Sequence, residues 1–281
     1  RVIVPPMDFV RRDPISDMRG DGDPLLGPDD PPAYEIVNPR GTLPVVLLCD
    51  HASKAVPEAL AGLGLPDGAL DRHIGWDIGA AEITRRMAAH FDAPAVLAGY
   101  SRLVIDCNRQ LDDEQSIVTI SDGTAIPRNQ DISAQDAADR AEACFWPYHE
   151  AAAAVIEGVE ARGAVPPIVM MHSFTPVMGR GERPWHVGVL WDRDGRIALP
   201  LMDHLRHRGD LGVGDNEPYT GASPHGFSMP VHAARHGRAN VQIEIRQDLI
   251  SDESGICRWT EIMIDAFEGI FADEAIYQRE V

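Results

Sequence analysis

Four short apolar runs in this chain lead to, or contain, a side chain able to do chemistry. PVVLLC ends at Asp50 and His51, LVIDC stops at Asn108 and Arg109, PIVMM runs into His172 and Ser173, and NVQIEI carries Glu244. A catalytic zinc takes three protein ligands from His, Asp and Glu and leaves one position for water. His51 and His172 are natural donors for such an ion. The third ligand should be a carboxylate near one of them: Asp77, where a helical stretch begins after the His51 loop, is the first choice and Asp50 the second. The metal would lower the pKa of bound water to about 7 and polarise a carbonyl. Glu244, flanked by Ile243 and Ile245, would then take the proton from that water. An ionised carboxylate inside an apolar strand is costly unless something pairs with it, and a metal-bound water is one such partner.

Each of these residues also has a plain structural reading. A histidine at a strand end is commonly a hydrogen-bonded packing residue. Gln242, Glu244 and Arg246 alternate with apolar neighbours, so Glu244 would also suit the solvated face of an edge strand. Arg102 and Arg109 could be surface ion-pair partners, the usual fate of arginine in an acidic protein. His149, His232, His236, Trp76 and Trp185 have no spacing that sets them apart.

The elements that must position these groups follow from the apolar pattern. PVVLLC, PAVLAG, LVIDC, PIVMM, HVGVLW and NVQIEI read as short strands. Helical spacing is expected over about 77–91, 133–162 (kinked at Pro147), 198–208 and 256–271. Residues 110–132 read as a long loop, of the length often used as a functional lid. Strands alternating with helices predict a three-layer α/β fold, its sheet mostly parallel or mixed, with helices on both faces. In such folds ligands bind at the carboxyl ends of strands, near a switch in strand order. The first 33 residues, rich in Pro, Asp and Arg, are expected to form an extended, partly disordered arm before one domain spanning 34–281.

Composition narrows the partners. Lys and Arg total 25 against 44 Asp and Glu, a formal net charge of -19 that repels nucleic acid and anionic membranes. It also repels small anions, so an enzyme acting on them needs arginines placed at its site. Cys49, Cys107, Cys144 and Cys257 lack metal-site spacing and read as free thiols of a cytoplasmic protein. No run is long enough to span a membrane, and no apolar leader segment is expected.

The order and wording of several segments over about 43–250 resemble the N-formylglutamate amidohydrolase family: DHASKAVP, GWDIGA, SRLVIDCNR, MHSF, VGDNEPY and VQIEIRQDL. That family is placed with the zinc-dependent exopeptidase fold. IDCNR is similar to the segment of zinc carboxypeptidases whose arginine grips the substrate carboxylate, and MHSF is similar to their second-histidine segment. Carboxypeptidases pair the first histidine with a glutamate three residues on. Here that position is Lys54, which leaves the third ligand to come from elsewhere. The resemblance implies one zinc per chain on His51 and His172, with Glu244 as base, and Asp77 stays the first choice for the third ligand. Arg109, with Arg102 and Asn108, would hold the substrate α-carboxylate and stabilise the oxyanion. The loop carrying Asn216 and Tyr219 would cover the substrate side chain. The expected reaction is N-formylglutamate plus water giving formate and glutamate. Alternatives are an N-acetylmuramoyl amidase, a carboxypeptidase-type peptidase, and a non-enzymatic domain binding a small anion.

Overall fold

The computed structural model of the chain describes residues 24–179, 181–222 and 225–280. Seven strands form one mixed sheet: β1 (Tyr34–Val37), β2 (Val46–Cys49), β3 (Ala95–Ala98), β4 (Ile168–Phe174), β5 (Val187–Leu190), β6 (Val213–Asp215) and β7 (Asn240–Arg246). Their spatial order is β1-β3-β2-β4-β7-β5-β6. β3, β2, β4 and β7 run parallel, as do β5 and β6, while β1 and β5 lie antiparallel to β3 and β7. Every residue of β2, β3, β4 and β5 is buried, as a sheet covered on both faces requires. Alternation sends Leu47 and Cys49 towards α1 (Ala80–His90), α4 (Ala198–His207) and α6 (Glu253–Phe271). Val46 and Leu48 face α3 (Trp146–Glu160) on the other side. The result is the expected three-layer α/β fold. The chain leaves β2 for β3 on one side and returns to β4 on the other, so the switch in strand order lies where His51 and His172 stand.

Five of the six expected strands form. LVIDC is the exception, since residues 101–109 make consecutive turns. Side chains and loops satisfy its backbone instead of a neighbouring strand. Asn129 donates to the Leu103 carbonyl, Arg140 to that of Val104, and the Asp106 N–H donates to Ser116. A buried apolar run needs its polar backbone paired, and these partners serve without a sheet. Two short strands, β1 and β6, fall in stretches whose sequence reads as irregular.

The helices differ from expectation mainly at their ends. Asp77 precedes α1 by three residues, and the chain turns into the helix at Gly79, where φ is 80°. A Cβ at Gly79 would lie 2.3 Å from the Ile250 carbonyl oxygen, so a side chain there would force the backbone apart. The helix expected over 133–162 divides into α2 (Ala134–Arg140), a wider π segment (Ala141–Phe145) and α3. Pro147 lies in the first turn of α3. It lacks an N–H for the preceding turn, and the chain widens there instead of bending sharply. Residues 1–23 of the expected amino-terminal arm lie outside the described residues. Over 24–33 the chain has no strand or helix, and the Tyr100 hydroxyl donates to the Pro31 carbonyl at 2.5 Å. The four cysteines are free, with Cys257 alone exposed.

Behind β2, α3 and the short helix α5 (Ser228–His232) place two histidines in contact. His149 Nε2 lies 2.9 Å from the Cys107 carbonyl oxygen, which can only accept, so Nε2 carries the His149 proton. Its Nδ1 therefore accepts from His232 Nε2, also at 2.9 Å. Burial pushes His149 down to about 4, and burial with the neighbouring His149 pushes His232 down to about 3. Both values lie below the unfolded value of about 6.5, so the unfolded chain binds these protons more tightly. Their contribution to stability is full above about pH 6.5 and is lost as pH falls. By about pH 5 each should have cost about 2 kcal/mol. Urea unfolding at about pH 7.5 and 5 should show a stability loss smaller by that amount in His149→Gln than in the wild type. An equal loss in both proteins would mean the pair is not held neutral.

Candidate functional site

The carboxyl edge of β2 and β4 brings His51, Asp77 and His172 together. All three are buried, with ligand atoms within 4.8 Å of one another. Asp77 Oδ2 is the shared point, 3.3 Å from His51 Nδ1 and 2.8 Å from His172 Nδ1. Asp77 is drawn there because its N–H donates to the His51 carbonyl, tying the start of α1 to the loop after β2. Ligands about 2.0–2.1 Å from a tetrahedral zinc lie about 3.4 Å apart, close to the spacing seen here. Both distances from Asp77 are near that value and the two histidine atoms lie within 4.8 Å, so the donor set, two imidazoles and one carboxylate, suits a metal ion such as zinc.

The other nitrogen of each histidine faces a second carboxylate. His51 Nε2 is 2.7 Å from Asp106 Oδ1, and His172 Nε2 is 3.3 Å from Asp50 Oδ2. The geometry at His172 is too poor for a hydrogen bond, so among the described residues neither atom has a hydrogen-bond partner. Asp106 thereby fixes the His51 tautomer and aims its Nδ1 at a bound ion, while Asp50 attracts His172 by charge. Asp50, the second choice for the third ligand, is held from behind: its Oδ1 accepts from Tyr148 and Ser228, both at 2.7 Å. Asp106 also takes the Arg102 guanidinium at 2.6 Å.

The buried charges shape one another. Burial resists ionisation of Asp77, but His51 and His172 more than offset it and hold its carboxyl well below the usual range. Asp106 is lowered in the same way, burial being outweighed by Arg102 and His51. Burial and Arg102 pull His51 down, yet Asp106 and Asp77 leave it raised; His172 is likewise raised by Asp50 and Asp77 against burial.

Glu244 behaves differently. β7 lies between β4 and β5, with Glu244 opposite His172 on one side and Gly188 on the other. It is 4% exposed, which rules out the solvated face of an edge strand. Gln242 Nε2 donates to its Oε1 at 2.9 Å. Burial pushes Glu244 up to about 7, with Asp77 adding to the rise and His172 opposing it.

These groups line a cavity of about 440 Å³, shared with Arg102, Asn108, Arg109 and Tyr219. Arg102 is already engaged, with Asp77 Oδ1 at 3.6 Å besides Asp106. Arg109 has no carboxylate partner among the described residues; its Nη1 donates to the Asn108 carbonyl. The Asn108 side chain accepts from the Phe227 and Ser228 N–H groups and so anchors the start of α5. Asn216 is outside the cavity lining. Its Oδ1 accepts from the Trp191 and Gly221 N–H groups, which makes it a brace for its own loop. That loop can settle on β5 because Gly188 has no side chain; a Cβ there would lie 2.0 Å from the Glu217 carbonyl oxygen. Asp106, Tyr148, Ser228 and Gln242 had no assigned role in the sequence. Only Asp106 carried a signal, as the acid inside IDCNR.

Fold and site together define a mixed α/β protein with a buried His–Asp–His cluster, able to hold a metal ion, at the switch point of its sheet. The N-formylglutamate amidohydrolase family model matches residues 43–251, and the chain belongs to that family. Among solved structures it is similar to the gene product Atu2144 from Agrobacterium tumefaciens, at 31% identity and a TM-score of 0.81 over 88% of this chain and 99% of that one. N-formylglutamate amidohydrolase from Ralstonia eutropha JMP134 shares the fold at 22% identity and a TM-score of 0.63, over 85% of this chain and 96% of that one. No curated protein matches the sequence.

The Arg102 contacts predict a structural cost. Arg102→Met would leave Asp106 and Asp77 buried with histidines as their only ion-pair partners among the described residues, besides the Asn108 and Ser173 N–H groups. The expected loss of stability is about 3 kcal/mol, at the low end for a broken buried pair because the Arg102 side chain is 27% exposed. Chemical denaturation without substrate measures it. Unchanged stability would free Arg102 for a role in binding alone.

Proposed function

We propose that this chain is a zinc-dependent amidohydrolase that cleaves the N-formyl amide of an acidic amino acid, converting N-formylglutamate and water to formate and glutamate. Family membership supports the reaction. The observation that carries the residue roles is the meeting of Glu244 with His51, Asp77 and His172 in one cavity. His51, Asp77 and His172 would hold one zinc, which when bound polarises the amide carbonyl and makes water acidic enough to attack at neutral pH.

The remaining work falls to the chain itself. Glu244 takes a proton from the attacking water, and Gln242 occupies Oε1 so that Oε2 is left to receive it. The same proton then passes to the amide nitrogen as the C–N bond breaks, giving formate and the free amine. Asp106 keeps His51 oriented through a hydrogen bond, and Asp50 holds His172 by charge. Arg109 binds the substrate α-carboxylate and supports the oxyanion, while Asn108 fixes the adjoining loop. Burial of the site excludes bulk water and strengthens each of these contacts. No helix among the described residues is long and apolar enough to cross a membrane. Free thiols support a reducing, cytoplasmic setting. A sheet built from strands between residues 34 and 246 supports one domain over 34–281.

Elemental analysis should find one zinc per chain, lost in His51→Ala and His172→Ala. A panel of N-formyl, N-acetyl and N-succinyl amino acids should show N-formylglutamate hydrolysed. Glu244→Gln should keep its zinc and lose at least ~10²-fold in kcat, the usual scale for a general base. Retention of more than half the activity would return Glu244 to a packing role. Arg109→Lys should cost about 1.5–3 kcal/mol in kcat/KM, because lysine lacks the planar fork that grips a carboxylate. The cost should shrink on the α-carboxamide analogue, whose carboxylate is already absent. Equal losses on the two substrates would leave Arg109 a fold residue.

A further inference from the structure

One cation beside the cavity has no part in the mechanism above. Arg183 follows a small hairpin, Val177–Met178 paired with Gly181–Glu182. Its guanidinium lies over the Tyr219 ring, 4.9 Å from the centroid, and 5.9 Å from that of Phe174. Nη1 donates to the Tyr219 hydroxyl at 2.9 Å, and Nη2 contacts Met178 Sδ at the same distance. Phe174, Met178 and Tyr219 all line the cavity, so three of its wall residues hold this one side chain.

The contacts leave Arg183 unspent. A guanidinium carries five N–H groups, and two are used here. Among the described residues no carboxylate forms an ion pair with it, in a chain where acids outnumber bases 44 to 25. Arg102, by contrast, is neutralised by Asp106 and Asp77. Stacking on an aromatic face fixes the plane of a guanidinium without cancelling its charge. Burial and Glu244 push the Tyr219 phenol up while Arg183 pulls it down, so the ring lies within electrostatic reach of both the reacting carboxylate and Arg183.

We propose that Arg183 binds the side-chain carboxylate of the substrate, so that the site selects N-acyl derivatives of acidic amino acids over their neutral isosteres. This rests on the amidohydrolase reading and adds the group that sets its specificity. Arg109 and Arg183 then supply two separate cations for a dianion that the protein's net charge opposes. Tyr219 is a positioning residue, holding the guanidinium flat against the wall.

The test compares N-formylglutamate with N-formylglutamine, which differ only at the distal carboxylate. kcat/KM for the zinc-loaded wild type should favour the glutamate form by about tenfold or more, the scale of one charged hydrogen-bonded contact. In Arg183→Met that ratio should collapse, through a KM that rises far more for the glutamate form. Arg183→Lys should restore part of it, and Tyr219→Phe should raise KM for the diacid with little change in kcat. A wild type without preference, or equal losses on both substrates in Arg183→Met, would overturn the proposal. Calorimetric binding of both compounds to zinc-loaded Glu244→Gln, with and without Arg183→Met, reads the same selectivity without turnover. If the wild type hydrolyses neither compound the amidohydrolase reading fails, while loss of selective binding in Arg183→Met would still support the assignment of Arg183.

Discussion

Four carboxylates, those of Asp50, Asp77, Asp106 and Glu244, are buried at one edge of the sheet, and their removal from water is the constraint around which the site is built. Each such burial costs several kcal/mol unless a cation or several hydrogen bonds face the charge. Arg102 and His51 face Asp106, His51 and His172 face Asp77, and Tyr148 and Ser228 bind Asp50. Among the described residues Glu244 has only the Gln242 amide as a direct partner, and it is the carboxyl whose burial shows as a raised pKa. When His51 and His172 are neutral, as metal ligation requires, Arg102 alone among the described residues forms an ion pair with these carboxylates. A divalent ion among His51, Asp77 and His172 would correct that imbalance, which gives the proposed zinc an electrostatic reason as well as a geometric one.

The same constraint explains the backbone around the site. The segment 101–109 carries three charged cavity groups, Arg102, Asp106 and Arg109, pointing to one region. A strand would send alternate residues to opposite faces. Successive turns avoid that alternation, with Asn129 and Arg140 pairing the buried Leu103 and Val104 carbonyls. α5 is placed by the same segment, since Asn108 accepts from its first N–H groups and Ser228 in turn donates to Asp50. One irregular loop thus links the outer carboxylates to the layer of helices behind the sheet.

Charge sets a second theme. A net charge of -19 disfavours any anion at long range, so recognition of an anionic substrate has to be local and desolvated. Of the arginines around the cavity, Arg102 is committed to the protein's own carboxylates, whereas Arg109 and Arg183 keep their charge available. On the proposed reading the acidic surface and the anionic substrate are compatible because two fixed guanidinium groups act at short range. Short-range forks also discriminate better than a diffuse positive field would, because they read carboxylate geometry.

Much of this was legible in the residues alone. Apolar runs bounded by turns reported the strands β2, β3, β4 and β5, because a strand covered on both faces is largely apolar, and the alternating Val241, Ile243 and Ile245 reported β7. His51 and His172 stood out because a polar group ending such a run has to lie at the sheet's carboxyl edge. LVIDC misled for the same reason: burial makes a strand and a buried loop look alike in sequence, and only the partners of their carbonyls tell them apart. β1 and β6 were missed because an edge strand needs no continuous apolar run. Whether Glu244 faced solvent or core depended on its neighbours on both sides, which no local pattern records. The pairing of Asp106 with His51 across 55 residues, and of Asp50 with Ser228 across 178, was decided by chain topology. The placement of Arg183 against Tyr219 was decided the same way. Sequence reports how each residue meets water, and tertiary structure decides which charge meets which, because Coulomb and hydrogen-bond energies depend on distances that only the folded chain sets.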